Sequence, residues 1–88
     1  MIVVSPNPAK DNLFVTIDEE SPEVKSLSQE ENISMALYDF NTNILVKKYD
    51  FKTNQKKFSL PLTGLPAGKY VLVVKKGTQY KTTQVIVQ

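Results

Sequence analysis

The chain has 88 residues, 41% of them hydrophobic, with a net charge of +2 and neither cysteine nor histidine. That length supports one domain with a modest core, while the composition excludes disulfide staples and thiolate chemistry and removes the commonest general base and metal ligand. Its apolar runs fall well short of the ~18 residues that span a membrane, and Ile2-Val3-Val4 is too short for a signal-peptide core.

Ile2-Val3-Val4 reads as a short extended run. In Ser5-Pro6-Asn7-Pro8-Ala9, the prolines remove two N–H donors and push Ser5 and Asn7 out of helical space, so an extended or turn connection is expected. Leu13, Val15 and Ile17 then alternate as a strand facing a core. Residues 18–32 break this pattern with six acids, Pro22 and several serines; a polar surface loop is expected, with room for one helical turn around Val24–Leu27. Ile33, Met35 and Leu37 alternate as the next inward set. Asn41-Thr42-Asn43 is a turn, because Asn tolerates the left-handed region, and residues 44–51 return as the partner strand. After a second turn at Thr53-Asn54-Gln55, residues 56–62 set Phe58, Leu60 and Leu62 on one face, and Pro61 points this strand to a sheet edge.

The last 24 residues carry the strongest pattern. Leu65-Pro66-Ala67-Gly68-x-Tyr70 has the form of a corner: Pro66 fixes φ, Gly68 permits a tight reversal, and the Tyr70 hydroxyl is placed to bond back to nearby backbone. If φ at Gly68 is positive, Gly68→Val costs more than ~1 kcal/mol. Two runs rich in β-branched and aromatic residues flank Gly77-Thr78, a two-residue hairpin signal in which Gly supplies positive φ. Tyr70, Leu72 and Val74 share one face, with Val71 and Val73 on the other. Both faces are apolar, which puts the hairpin in the interior of the sheet. Its second strand is expected to close the domain with no tail. Seven short strands, turn signals at nearly every boundary and no convincing helix specify an all-β, immunoglobulin-like, two-sheet Greek-key sandwich; a five- or six-stranded barrel is the alternative.

Charge is unevenly spread. Residues 1–44 carry two Lys against eight acids, net −6, and residues 45–88 carry nine Lys against one acid, net +8. All the cations are Lys, and none is the Arg that reads bases and forks onto phosphate, so a solvated basic face is favoured over a nucleic-acid partner. The pairs Lys47-Lys48, Lys56-Lys57 and Lys75-Lys76, interleaved with Tyr49, Phe51 and Tyr80, have the makings of a basic aromatic surface; the preferred reading is one solvent-facing lysine per pair, blunting sheet edges. Asp39-x-Asn41-x-Asn43, with Asp50 at the twelfth position, resembles a calcium loop superficially. It has Ile44 where the loop needs Gly and ends in Asp, not bidentate Glu. The acids of 18–31 suit a cation only if the chain gathers them. No serine-nucleophile motif stands in the chain, so no catalytic residue, cofactor or metal site is expected.

Three stretches, in order and spacing, are similar to the C-terminal sorting domains of type IX (Por) secretion cargo in Bacteroidetes. They are Ser5-Pro6-Asn7-Pro8-Ala9-x-Asp11-x-Leu13, then Leu37-Tyr38-Asp39, then Leu65-Pro66-Ala67-Gly68-x-Tyr70 with the terminal Lys-Gly hairpin. The chain departs from that pattern where the central Gly is replaced within Asn41-Thr42-Asn43, and in ending on Gln88 where Lys is common. The resemblance implies that residues 1–88 form one Ig-like domain at the C-terminus of a larger secreted protein. It implies a noncatalytic module that takes an attached cargo across the periplasm and through the outer-membrane translocon, followed by removal by a sorting peptidase. The cargo would end secreted or at the cell surface, with no nucleic acid and no membrane insertion involved. By the same resemblance the recognised features are Pro6, Asn7 and Pro8 together with Thr83, Gln84, Val85, Ile86, Val87 and Gln88, while Leu65, Gly68 and Tyr70 form the structural corner. The alternative function is an Ig-like structural or carbohydrate-adhesive accessory module, touching polysaccharide through Tyr49 and Tyr80.

Overall fold

The computed structural model describes residues 2–17 and 31–88. Seven strands follow in order: β1 (Ile2–Ser5), β2 (Asn12–Ile17), β3 (Glu31–Asp39), β4 (Leu45–Thr53), β5 (Lys57–Pro61), β6 (Gly68–Lys76) and β7 (Gln79–Val87). They form two antiparallel sheets, one ordered β1-β2-β5 and the other β4-β3-β6-β7. Two long-range pairings, β2 with β5 and β3 with β6, give the crossing connectivity of a Greek-key sandwich, as the turn spacing predicts. The loop read at 18–32 is shorter at its far end, since Glu31 and Asn32 already pair with Thr53 and Lys52; the helical turn weighed at Val24–Leu27 and the acids up to Glu30 lie outside the described residues.

Alternation builds the core. Leu13, Val15 and Ile17 face Ile33, Met35 and Leu37 across the sandwich with Phe58, Leu60, Leu62, Tyr70, Leu72, Val74, Val85 and Val87, all buried. At ~25 cal/mol per Å² of apolar surface removed from water, this layer is the main force holding the sheets together. Pro61 ends β5, an edge strand, where a missing N–H costs no ladder bond. Gly77 sits at φ 59° as the first residue of a two-residue turn, Lys76 pairing with Gln79 across it, while Thr78 keeps an ordinary φ. This is the arrangement a type II′ hairpin turn needs.

One expectation is corrected. The terminal hairpin is not interior throughout: β6 lies between β3 and β7, but β7 is an edge strand. The apolar two-faced signal comes from β6 alone, whose outer residues Val71 and Val73 are only half-buried, whereas β7 from Gln79 to Gln84 is mostly exposed and polar.

The two open sides of the sandwich are closed differently. Between β4 and β5, the rings of Phe51 and Phe58 meet at 4.9 Å and the Tyr49 hydroxyl donates to the Pro61 carbonyl at 3.0 Å. Between β1 and β7, the bridges are polar and few. Lys81 Nζ donates to the Ile2 carbonyl at 2.9 Å near the hairpin end, and the Pro-Asn-Pro turn closes the other end.

Candidate functional site

The Pro-Asn-Pro turn and the last strand, read from sequence as separate features, meet along one edge. Ala9 makes a parallel bridge to Val87: its N–H donates to the Ile86 carbonyl at 2.8 Å, and Gln88 N–H donates to the Ala9 carbonyl at 2.8 Å. A regular parallel strand would continue two residues upstream with the peptide groups of residue 7. Here the side chain of Asn7 takes that place. Its Nδ2 donates to the Gln84 carbonyl and its Oδ1 accepts from Ile86 N–H, both at 2.9 Å. A carboxamide carries both a donor and an acceptor, as a peptide unit does. It therefore extends the ladder by one rung in place of the backbone of residue 7.

The surroundings explain why the turn stays in place. Ala9 is fully buried, so the residue after the second proline is anchored in the core. Pro6, Asn7 and Pro8 are exposed, as are Gln84, Ile86 and Gln88, while Val85 and Val87 point inward into the core and Thr83 is half-buried. The sorting residues expected from resemblance thus divide by period two. Pro6, Asn7, Pro8, Gln84, Ile86 and Gln88 form an outer edge; Val85 and Val87 are packing. The sequence places Asn7 in a turn and, by resemblance, among the recognised residues, but not in a bond to the last strand. The signal for its role is an amide side chain between two residues that cannot donate.

The same end of the sandwich carries the other two motifs. Tyr70 Oη donates to the Pro66 carbonyl at 2.6 Å, four residues upstream, forming the expected tyrosine corner with Leu65 half-buried beside it. Burial, and then the charge of Asp39, hold the Tyr70 phenol above its ordinary value, so it remains a protonated donor. Gly68 has φ 158°, a value L side chains rarely adopt. In the β3–β4 loop, Asp39 Oδ1 accepts from Asn41 N–H at 2.8 Å and Thr42 N–H at 3.0 Å, and Asn43 takes φ 60°. Asn43 thereby supplies the left-handed residue of a turn that holds no glycine. The Thr42 amide foremost holds the Asp39 carboxyl below its ordinary range; desolvation opposes it, and the Asn41 amide and the Thr42 hydroxyl add smaller lowering effects.

The competing chemistries do not assemble. Asp39 is spent on its turn, and Asp50 sits opposite Ser34, five residues along β3, about 17 Å of strand away, so the calcium-like spacing closes no loop. Tyr49 and Phe51 pack against the core, which separates them from the exposed Tyr80 and dissolves the basic aromatic surface and the Tyr49–Tyr80 glycan platform. In each lysine pair one member is exposed (Lys48, Lys57, Lys75) and one is half-buried (Lys47, Lys56, Lys76); Lys47-Lys48 and Lys57 lie on the edge strands β4 and β5, as edge blunting requires, but Lys75-Lys76 lie on the interior strand β6 and blunt no edge. Lys76 pairs with Glu31 at 3.3 Å, and burial lowers its pKa.

A comparison with curated proteins returned no match. The family described as the secretion system C-terminal sorting domain matches residues 3–88, nearly the whole sandwich, with its three motifs gathered at one end. The chain belongs to that family, the noncatalytic C-terminal sorting signals that direct cargo proteins into type IX secretion.

Proposed function

We propose that the address read by the export machinery is the composite edge of Pro6, Asn7 and Pro8 with Gln84, Ile86 and Gln88, presented by a folded sandwich. The observation that carries this reading is the pair of hydrogen bonds from the Asn7 side chain to Gln84 and Ile86, which makes turn and strand one surface. Its partners are the outer-membrane translocon, which reads the edge, and a sorting peptidase, which then removes the domain; the cargo reaches the cell surface from the periplasm. The domain itself supplies no catalytic group. Geometry favours this division of labour: Ile2 is tied to Lys81, and six residues of β7, about 20 Å, separate Lys81 from Val87. A cargo joined ahead of residue 1 therefore emerges at the end remote from the address.

The test is export of a reporter carrying a signal peptide and residues 1–88 in a type IX-competent host. Deleting Thr83–Gln88 abolishes export; equal export with and without these residues ends the reading. Because that deletion also strips Val85 and Val87 from the core, Asn7→Ala serves as the milder variant and lowers export while the sandwich persists.

A further inference from the structure

The ladder along the outer edge of β7 stops short. Residues 7–9 occupy the Gln84 carbonyl, both groups of Ile86 and the Gln88 N–H. These outward groups all belong to even-numbered residues. By the alternation of an antiparallel strand, the N–H and C=O of Tyr80 and Thr82 and the N–H of Gln84 also point outward, away from β6. Among the described residues nothing bonds them. The stretch has neither proline nor bulge, and its one charged side chain, Lys81, is turned inward to the Ile2 carbonyl. A second, independent observation lies on its inner side: the Thr83 hydroxyl is buried and has no hydrogen-bond partner among the described residues. Native proteins seldom leave such a group unmade. Beside it, the Lys81 ammonium spends one donor on Ile2 and holds two more.

We propose that Tyr80–Gln84 of β7 accepts a short extended segment of a partner protein as an added strand, an inference that rests on the sorting reading and names how the partner is held. The segment continues the rung pattern that Asn7 and Ala9 begin. One of its inward side chains, a hydroxyl or amide, satisfies Thr83, and an acidic side chain meets Lys81. Main-chain bonds supply affinity in such augmentation, and alternate side chains supply specificity. A second copy of this chain is the weaker occupant. Two-fold pairing about Thr82 sets each Tyr80 opposite the other copy's Gln84, whose carbonyl Asn7 already holds.

The test uses the same reporter fusion with Thr82→Pro, which removes an outward N–H and leaves the β6 pairing untouched, since proline is tolerated on an edge with its nitrogen facing solvent. In the isolated domain, the Thr82 and Gln84 amides exchange rapidly with solvent; slow exchange there overturns the open edge. Export of Thr82→Pro falls about tenfold or more, the loss that follows from one or two missing hydrogen bonds of an added strand. The melting temperature stays near that of the parent. If Thr82→Pro does not fold, Thr83→Val, which keeps the side-chain shape and removes the hydroxyl, is read instead and also lowers export. Wild-type export by a folded Thr82→Pro domain, or by Thr83→Val in its place, overturns the inference while leaving the sorting reading intact. Failure of the unaltered fusion to export sinks the sorting reading itself. Self-association of the isolated domain that Thr82→Pro disperses assigns the edge to a second copy and overturns the partner.

Discussion

Replacing Asn7 with Ala removes two hydrogen bonds and almost nothing else, because the side chain is exposed and fills no core volume. Each neutral bond contributes about 0.5–1.5 kcal/mol net, which brackets the loss at about 1–3 kcal/mol. Water reaches the Gln84 carbonyl and the Ile86 N–H once the amide is gone, so the cost lies in the lower half, about 1–2 kcal/mol. In a domain of this size that corresponds to a fall in melting temperature of about 4–16 °C. Amide exchange gives the sharper readout. Ile86 N–H faces outward on an edge strand, yet it is protected in the parent because Asn7 Oδ1 accepts from it. In Asn7→Ala it exchanges about 5–30-fold faster, while Leu72 and Val74 of β6 follow only the global change in stability. Asn7→Asp discriminates further: it keeps an acceptor for Ile86 but sets a carboxylate against the Gln84 carbonyl, so it is at least as destabilising near pH 7. An Ile86 amide that exchanges equally slowly in parent and Asn7→Ala would refute the surrogate-peptide argument.

Ala9→Leu forces a larger side chain into a fully buried site between turn and core, costing about 1–3 kcal/mol by chemical denaturation and loosening Gln88 N–H first in exchange. Tyr70→Phe loses the bond to Pro66 and costs about 0.5–1.5 kcal/mol, measured from the denaturant midpoint at constant slope. Gly68→Val, at φ 158°, costs more than ~1 kcal/mol; an unchanged melting temperature would refute the backbone geometry assigned to the corner. Asp39 is held below the ordinary 3.8 in the folded chain, so its contribution is present above that value and lost as pH falls through the lowered one; Asp39→Asn removes this acid-side dependence from a pH series of melting curves.

What the sequence reveals about this fold depends on whether the cause is local. The tyrosine corner, the Gly77-Thr78 turn and the inward face Phe58, Leu60, Leu62 were legible because φ restriction and period-two alternation act within a few residues. The β4 strand misleads for a physical reason. Ile44-Leu45-Val46, at its start, is the most hydrophobic run there, yet all three residues are exposed, Ile44 lies ahead of the strand, and Lys47, Tyr49 and Phe51 face inward instead. A register shift at Leu37/Tyr38 skips Val46, where that run ends, so hydrophobicity by itself selects the wrong residues. The Asn7 contacts were illegible for a third reason: their partners lie 77 and 79 residues away, and no spacing rule connects a turn to a strand at that distance.

The use of a side chain in place of a strand has a consequence for how the domain is read. A full parallel strand along β7 would cover every outward group and leave a partner nothing to bond. The chain leaves for β1 after one surrogate rung at residue 7 and one true one at residue 9, so that strand is never completed. The cap is therefore long enough to hold Val85 and Val87 in the core, and short enough to leave Tyr80–Gln84 unspent. The pinning of turn to strand and the proposed strand addition draw on the same edge in different segments. For that reason substitutions at Asn7 and at Thr82 separate by assay: both lower export, but only the first shifts melting and Ile86 exchange.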